Sequence, residues 1–337
     1  MDWSSGYSSR YYMSRLDKAT LKDLDRIEIT GGTIKKTNTD LRESADIDCV
    51  NYQSQQEELI RVWLDIDQNG ASDHTPLFTG IATSPTNKYS GNVKTVTVQC
   101  YSLLKIAQDV LLPLGWYAPA KTSSDYLLRS LLSITGTEII IDPEVPVIDQ
   151  AIIAEQGENQ LSMADKILSA IGWVMRMDGY GRIYISKRKT DSVARFNSLN
   201  YDIIEKDIDI TYDWYAAPNV LRVTMDDQCA IARDDDPNSP LSTDKNCRGR
   251  EVWAEYSDVQ LNTGETLAEY AQKMLKYYQQ SSTTLSYTRR FLPDVYPGDI
   301  VDLNYPAQDI SGSFIIVDQS ITLGYNARTS EEVIRYA

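Results

Sequence analysis

The chain has 337 residues, 42% of them apolar, so it has length for two or three domains and can bury a substantial core. A formal net charge of −15 repels phosphate and argues against a groove that grips nucleic acid. No unbroken apolar run reaches the ~18 residues of a membrane-spanning helix.

Residues 1–25 are polar and rich in Ser and Tyr, and read as an arm ordered by a neighbour. The start, Met1-Asp2-Trp3-Ser4-Ser5-Gly6, lacks the basic-then-apolar layout of a signal peptide, so folding in a cytoplasm is expected. From Arg26 the text alternates as strands do. Arg26 to Thr30, Asp46 to Tyr52, Leu59 to Ile66, Leu77 to Ala82 and Val93 to Tyr101 each present one apolar face. Five such strands at short spacing predict a small antiparallel barrel or sandwich.

Near residue 102 the period changes to that of a helix. Leu103, Leu104, Ile106, Ala107, Val110 and Leu111 share a face, and Pro113 and Gly115 end it. A second helix starts at the cap cluster Ser123-Ser124-Asp125, and a third spans Leu161 to Ile171 before Gly172. Two short strands around Asp178-Gly179-Tyr180-Gly181 make a hairpin. Strands return at Ile208 to Tyr212 and Asn219 to Thr224. A polar loop, Arg233 to Pro240, precedes a helix from Leu267 to about Gln279, capped by Thr263 or Thr266. The remaining text is strands: Thr284 to Phe291, Asp299 to Asn304, Phe314 to Gln319 and Ile321 to Gly324. A strand-rich block thus stands at each end, with α+β material between.

Chemical motifs are sparse. Asp65-Ile66-Asp67-Gln68-Asn69-Gly70 opens like a calcium loop, but its twelfth position is Pro76 instead of Glu, and Asn69-Gly70 fits a hairpin turn outright. His74, the single histidine, sits in a polar turn beside no nucleophile. There is no phosphate loop, dinucleotide fingerprint or metalloprotease signature, and no cofactor is expected. Cys49 and Cys100 fall in apolar strands and read as core. Cys229 and Cys247 flank the polar loop, as reduced thiols or as a pair formed after release. Lys187-Arg188-Lys189 reads as a solvated strand end or as a contact for an acidic neighbour. The 22 tyrosines against four phenylalanines suit strands and half-wet subunit contacts alike.

Several elements now stand in one order. Leu77-Phe78-Thr79-Gly80-Ile81 is followed by Val98-Gln99-Cys100-Tyr101-Ser102-Leu103-Leu104, a strand leading directly into a helix. Glu155 to Leu168 opens the third helix, which ends in Ile171-Gly172-Trp173, and Asp178-Gly179-Tyr180-Gly181-Arg182-Ile183 supplies the hairpin after it. Tyr296-Pro297-Gly298-Asp299-Ile300-Val301 precedes Gly312 to Val317 and the last strands, Ile321 to Ser330. In order, spacing and length, residues 26–335 resemble the baseplate hub family of tailed phages and contractile injection systems, which includes the late-control D proteins and tail hub proteins.

The resemblance implies a mainly β fold with an α+β insertion: two tail-tube-like antiparallel β-barrel domains and an inserted α+β domain. On this sequence residues 1–25 would be the arm and 26–102 the first barrel. Residues 201–226 and 283–337 would form the second barrel, and 103–200 and 227–282 the insertion. It further implies a structural subunit, not an enzyme. Three copies would form a homotrimeric ring in the virion tail baseplate, joining the sixfold tail tube or a distal tail protein to a threefold spike or tip protein. DNA or effectors would pass without specific binding, and a tape-measure protein is a further partner. Tyr12, Trp63, Trp214 and Tyr215 are the candidate interface residues. A tail-associated peptidoglycan hydrolase and a carbohydrate-binding tail module are the alternative readings.

Overall fold

The computed structural model describes residues 6–50, 52–53, 56–90, 93–200, 204–215, 217–225, 227–257, 259, 261, 265–281, 283–324 and 328–336. Thr263 and the start of the expected second barrel, 201–203, lie outside them. The fold is mainly β.

Six strands come first: β1 (Ser8–Leu16), β2 (Asp23–Thr37), β3 (Glu43–Val50), β4 (Glu58–Gln68), β5 (Ala71–Ser90) and β6 (Val93–Ser102). They pair antiparallel in the order β1-β4-β5-β6-β3-β2, and β2 returns to β1, so the pairings close in a ring. Period-2 alternation places Ile47, Val62, Leu64, Phe78 and Val98 in one shared core. Asn69 and Gly70, with φ of 50° and 82°, form a two-residue turn between the paired Gln68 and Ala71. Residues 8–16, expected within an arm, are instead β1, held between β2 and β4. Tyr11, Met13 and Leu16 are buried there, an apolar face masked in the sequence by the Ser and Arg around it.

An α+β unit follows: α1 (Leu104–Asp109), β7 (Tyr117–Ala118), α2 (Ser124–Leu132), β8 (Ile139–Ile141), β9 (Ile152–Ile153), α3 (Gln160–Ile171), β10 (Trp173–Met177) and β11 (Ile183–Lys187). Ser123 caps α2 through the Tyr126 N–H, and Asn159 caps α3 through the Ser162 N–H. Gly172 ends α3 in the left-handed region. Leu104, Leu128, Met163, Ile167 and Ile183 share one core.

The rest of the chain supplies β12 (Ser192–Asn197), β13 (Ile204–Tyr212), β14 (Val220–Met225), β15 (Gln228–Arg233), β16 (Trp253–Tyr256), α4 (Leu267–Ser281), β17 (Thr283–Arg289), β18 (Ile300–Tyr305), β19 (Ile310–Leu323) and β20 (Thr329–Arg335). Two borders differ from the sequence reading. β14, expected in the second strand block, pairs among the described residues only with β15 and β16, and its Leu221 and Val223 pack with Leu267, Ala271 and Leu275 of α4. β12, expected in the insertion, joins the main sheet beside β18. Alternation marks a strand but not which sheet takes it. Thr266 caps α4, and Glu269 reaches back to the Thr266 N–H at 2.9 Å, a reciprocal capping box.

The main-sheet strands of this half run β12-β18-β19-β20-β17-β13. Strand for strand, in chain order, this is the circuit of the first half: β12 stands for β1, β13 for β2, β17 for β3, and β18, β19 and β20 for β4, β5 and β6. Two differences remain. β12 runs parallel to β18, whereas β1 and β4 are antiparallel, and among the described residues no pairing joins β12 to β13. Phe196, Ile204, Tyr287, Leu303, Phe314 and Val333, one from each strand, nevertheless fill one core. The two circuits meet where Asp318–Leu323 of β19 pairs with Gly32–Thr37 of β2, which makes one continuous sheet.

Candidate assembly surfaces

Several charged and polar side chains tie the units together. Arg42, 7% exposed, reaches from the β2–β3 turn to Asp165 of α3 with contacts of 2.5 and 3.1 Å. Burial raises the Asp165 carboxyl above its ordinary range, and Arg42 opposes that rise. The hairpin between β10 and β11 rests on the first circuit. The Thr79 hydroxyl donates to the Gly179 carbonyl at 2.7 Å and accepts from Arg61 Nε at 2.9 Å. A Cβ on Gly179 would lie 1.9 Å from the Pro76 carbonyl oxygen, so only glycine fits there.

A cavity of about 420 Å³ lies where the first circuit, this hairpin and the 291–296 loop converge. Its lining includes Lys36, Arg176, Asp178, Arg182, Lys189 and Tyr296. Three of the four cations are matched: Lys36 to Glu43 at 2.8 Å, Arg182 to Asp178 at 2.7 Å and Lys189 to Asp299 at 2.9 Å. Arg176 stands over the rings of Tyr184 and Tyr296. Burial raises the Glu43 carboxyl, with the Lys36 ammonium acting against it. Of these pairs, Lys36–Glu43 lies within the first circuit and Arg182–Asp178 within the hairpin, while Lys189–Asp299 links the end of the α+β unit to the second circuit.

A second buried network holds the other circuit. Glu331 accepts from Tyr287 Oη at 2.5 Å, Arg289 Nε at 2.9 Å and Gln319 Nε2 at 2.8 Å, and also from Arg289 Nη2. Arg289 and Glu331 have no exposed side-chain surface. Burial, then the adjacent Glu331 charge, holds the Tyr287 phenol well above its ordinary range, so it remains a donor.

The four aromatics singled out in the sequence separate into two pairs. Tyr12 and Trp63 lie on neighbouring strands, half-buried, and stack at 6.4 Å with their planes 14° apart. Trp63 also meets the edge of Tyr180 and donates from Nε1 to Asp23 at 2.9 Å. Trp214 and Tyr215 follow β13 and are 63% and 85% exposed. Arg248 holds their carbonyls, which fixes the backbone while both rings face outward. Tyr212 (55% exposed) packs against Trp214 at 5.7 Å, and Ile210 extends this apolar strip. The sequence reading missed Tyr212 and Ile210. The signal was the alternation of Ile208, Ile210 and Tyr212 with acidic neighbours, which looks the same on a solvent-facing edge as on a core strand.

His74 is exposed, and its Nδ1 lies 2.8 Å from Asp65 Oδ1. Asp67 takes the Ser72 hydroxyl. Among the described residues, no group of three or more His, Cys, Asp or Glu is placed to hold a metal ion. Cys229 is exposed and Cys247 half-buried, both as free thiols. Burial pushes the Cys49 thiol up to about 12, consistent with a core position. Lys187 pairs with Glu144 at 2.9 Å. No described helix is long and apolar enough to cross a membrane.

No family model and no curated protein matches this sequence. Solved structures do. The 43 kDa tail protein of prophage MuSo2 from Shewanella oneidensis is 15% identical, with a TM-score of 0.68 and 98% of each chain covered. A tail protein from Neisseria meningitidis is 16% identical, with a TM-score of 0.72 and 97% of each chain covered. A type VI secretion component from E. coli, itself similar in structure to bacteriophage T4 tail proteins, is 9% identical over 92% of this chain and 74% of that one, with a TM-score of 0.53. Across nearly its whole length, the chain has the fold of phage tail proteins.

Proposed function

We propose that this chain is a structural hub subunit of a phage tail or phage-tail-like particle. In this reading the two six-strand circuits are two tail-tube-like barrels, and three chains close into a ring of six. The observation that carries the proposal is the matching strand order of the two circuits within one continuous sheet. A chain holding two equivalent modules lets a threefold assembly present six similar positions. That geometry suits a joint between a sixfold tube, or a distal tail protein, and a threefold spike or tip. The first barrel is then β1–β6. The second is β12, β13 and β17–β20; the α1–β11 unit stands between the two barrels and the β14–α4 unit is inserted in the second. Function rests on shape and on matched charges, with no reaction to catalyse. The site of action is the tail baseplate, where DNA or an effector passes through the ring.

The test is sedimentation and negative-stain microscopy of the purified chain, alone and with its tube partner. Rings of trimeric mass with six lobes are expected. Monomers alone under both conditions would overturn the proposal.

A further inference from the structure

Two of the strand edges left without a partner among the described residues, those of β13 and of the outer half of β5, are singled out by the internal junction, which indicates what they take. β13 ends the sheet and pairs only with β17. β5 pairs with β4 only as far as Ala82. Beyond that its outer part, 84–90, has β6 on one side and nothing on the other. In the circuit correspondence β13 stands for β2 and β5 for β19, the two strands that join the halves of the chain. The free edges are thus the counterparts of the joined ones.

The correspondence fixes a register. β5 and β19 each carry a bulge at the same point, between Ala82 and Ser84 and between Ile316 and Asp318. Ser84 therefore matches Asp318. Their partners Gln99 and Glu332 match, as do the next strands' Asp46 and Ser286, and finally Thr33 and Asp209. At the internal junction Thr322 lies opposite Thr33. Carried over, Lys88 faces Asp209, Tyr89 faces Ile208 and Asn87 faces Ile210.

The chemistry agrees with that register. Lys88 and Asp209 are both exposed, and neither side chain makes a hydrogen bond or ion pair among the described residues. From Ala82 to Val98 the β5–β6 hairpin carries Lys88 and Lys94 and no acid, whereas β13 carries Glu205, Asp207 and Asp209 against Lys206. Tyr89 is 72% exposed, an apolar ring left uncovered at the place where Ile208 would meet it.

We infer that the outer half of β5 of one copy pairs antiparallel with β13 of the next, with Lys88 opposite Asp209. This rests on the ring reading above and names its seam. The contact is heterologous, so it closes only by cycling round. The test places Cys at both positions (Lys88→Cys with Asp209→Cys) in a Cys229→Ser/Cys247→Ser background, with Lys88→Cys/Thr211→Cys as the out-of-register control. Mild oxidation is expected to give covalent trimers from the first pair and not from the second. Lys88→Glu is expected to weaken assembly about tenfold or more, and Lys88→Glu/Asp209→Lys to restore it. Trimeric rings with no cross-link and no charge-swap rescue would overturn the seam and leave the hub reading standing. A wild-type chain that stays monomeric beside its tube partner would overturn both.

Discussion

Glu331 accepts four hydrogen bonds with its two oxygens, from Tyr287, Gln319 and two nitrogens of Arg289. Such a pair stabilises only while it is complete, because removing one partner strands the other charge away from water. Glu331→Ala is therefore expected to cost about 3–5 kcal/mol, read as a lowered urea midpoint. Lys121→Ala, which breaks an open pair with Asp149, should leave the midpoint in place. Neither Glu331 nor Glu43 could be picked out from the sequence. Among 48 acidic residues, nothing local distinguishes these two from those that stay outside. Ser123 and Thr266 were easier to anticipate, since a cap acts on its own helix within three residues, although the same signal at Asn159 was missed.

At the scale of elements, β2 does two jobs. Its first half pairs with β1, and from Gly32 its edge turns to β19. Gly32 has a φ of 138°, and a Cβ there would meet the Asp46 carbonyl oxygen at 2.4 Å. Gly32→Ala is expected to destabilise the fold by about 2–3 kcal/mol, combining backbone strain with a clash against main chain that cannot give way. Gly70→Ala, with a positive φ but open space, should cost visibly less in the same melt. Strands with one buried face were legible as alternation, and the Asn69-Gly70 and Asp178-Gly181 hairpins as turn chemistry. The outer half of β5 was not legible, because 84–89 is exposed on both faces and shows no period. The placement of β12 and β14 was not legible either. A strand's neighbours are chosen by long-range packing, and Val220-Leu221-Arg222-Val223 reads the same whichever sheet it enters.

For the molecule as a whole, the charge of −15 bears on what can travel past it. A conduit should not hold its cargo, and a surface of this sign offers phosphate little to release counterions against. In a mobility-shift assay at physiological salt the chain should leave duplex DNA unretarded. Retardation would remove passage of DNA from the proposed role. The long strand β19 adds a different consequence. It joins β18 to β20 in the second circuit and also covers the outer edge of β2, yet it is made only after most of the chain has left the ribosome. Until then β2 waits with that edge bare, so during synthesis the nascent first half is the stage most open to pairing with the wrong chain, and a chaperone has the most to shield there.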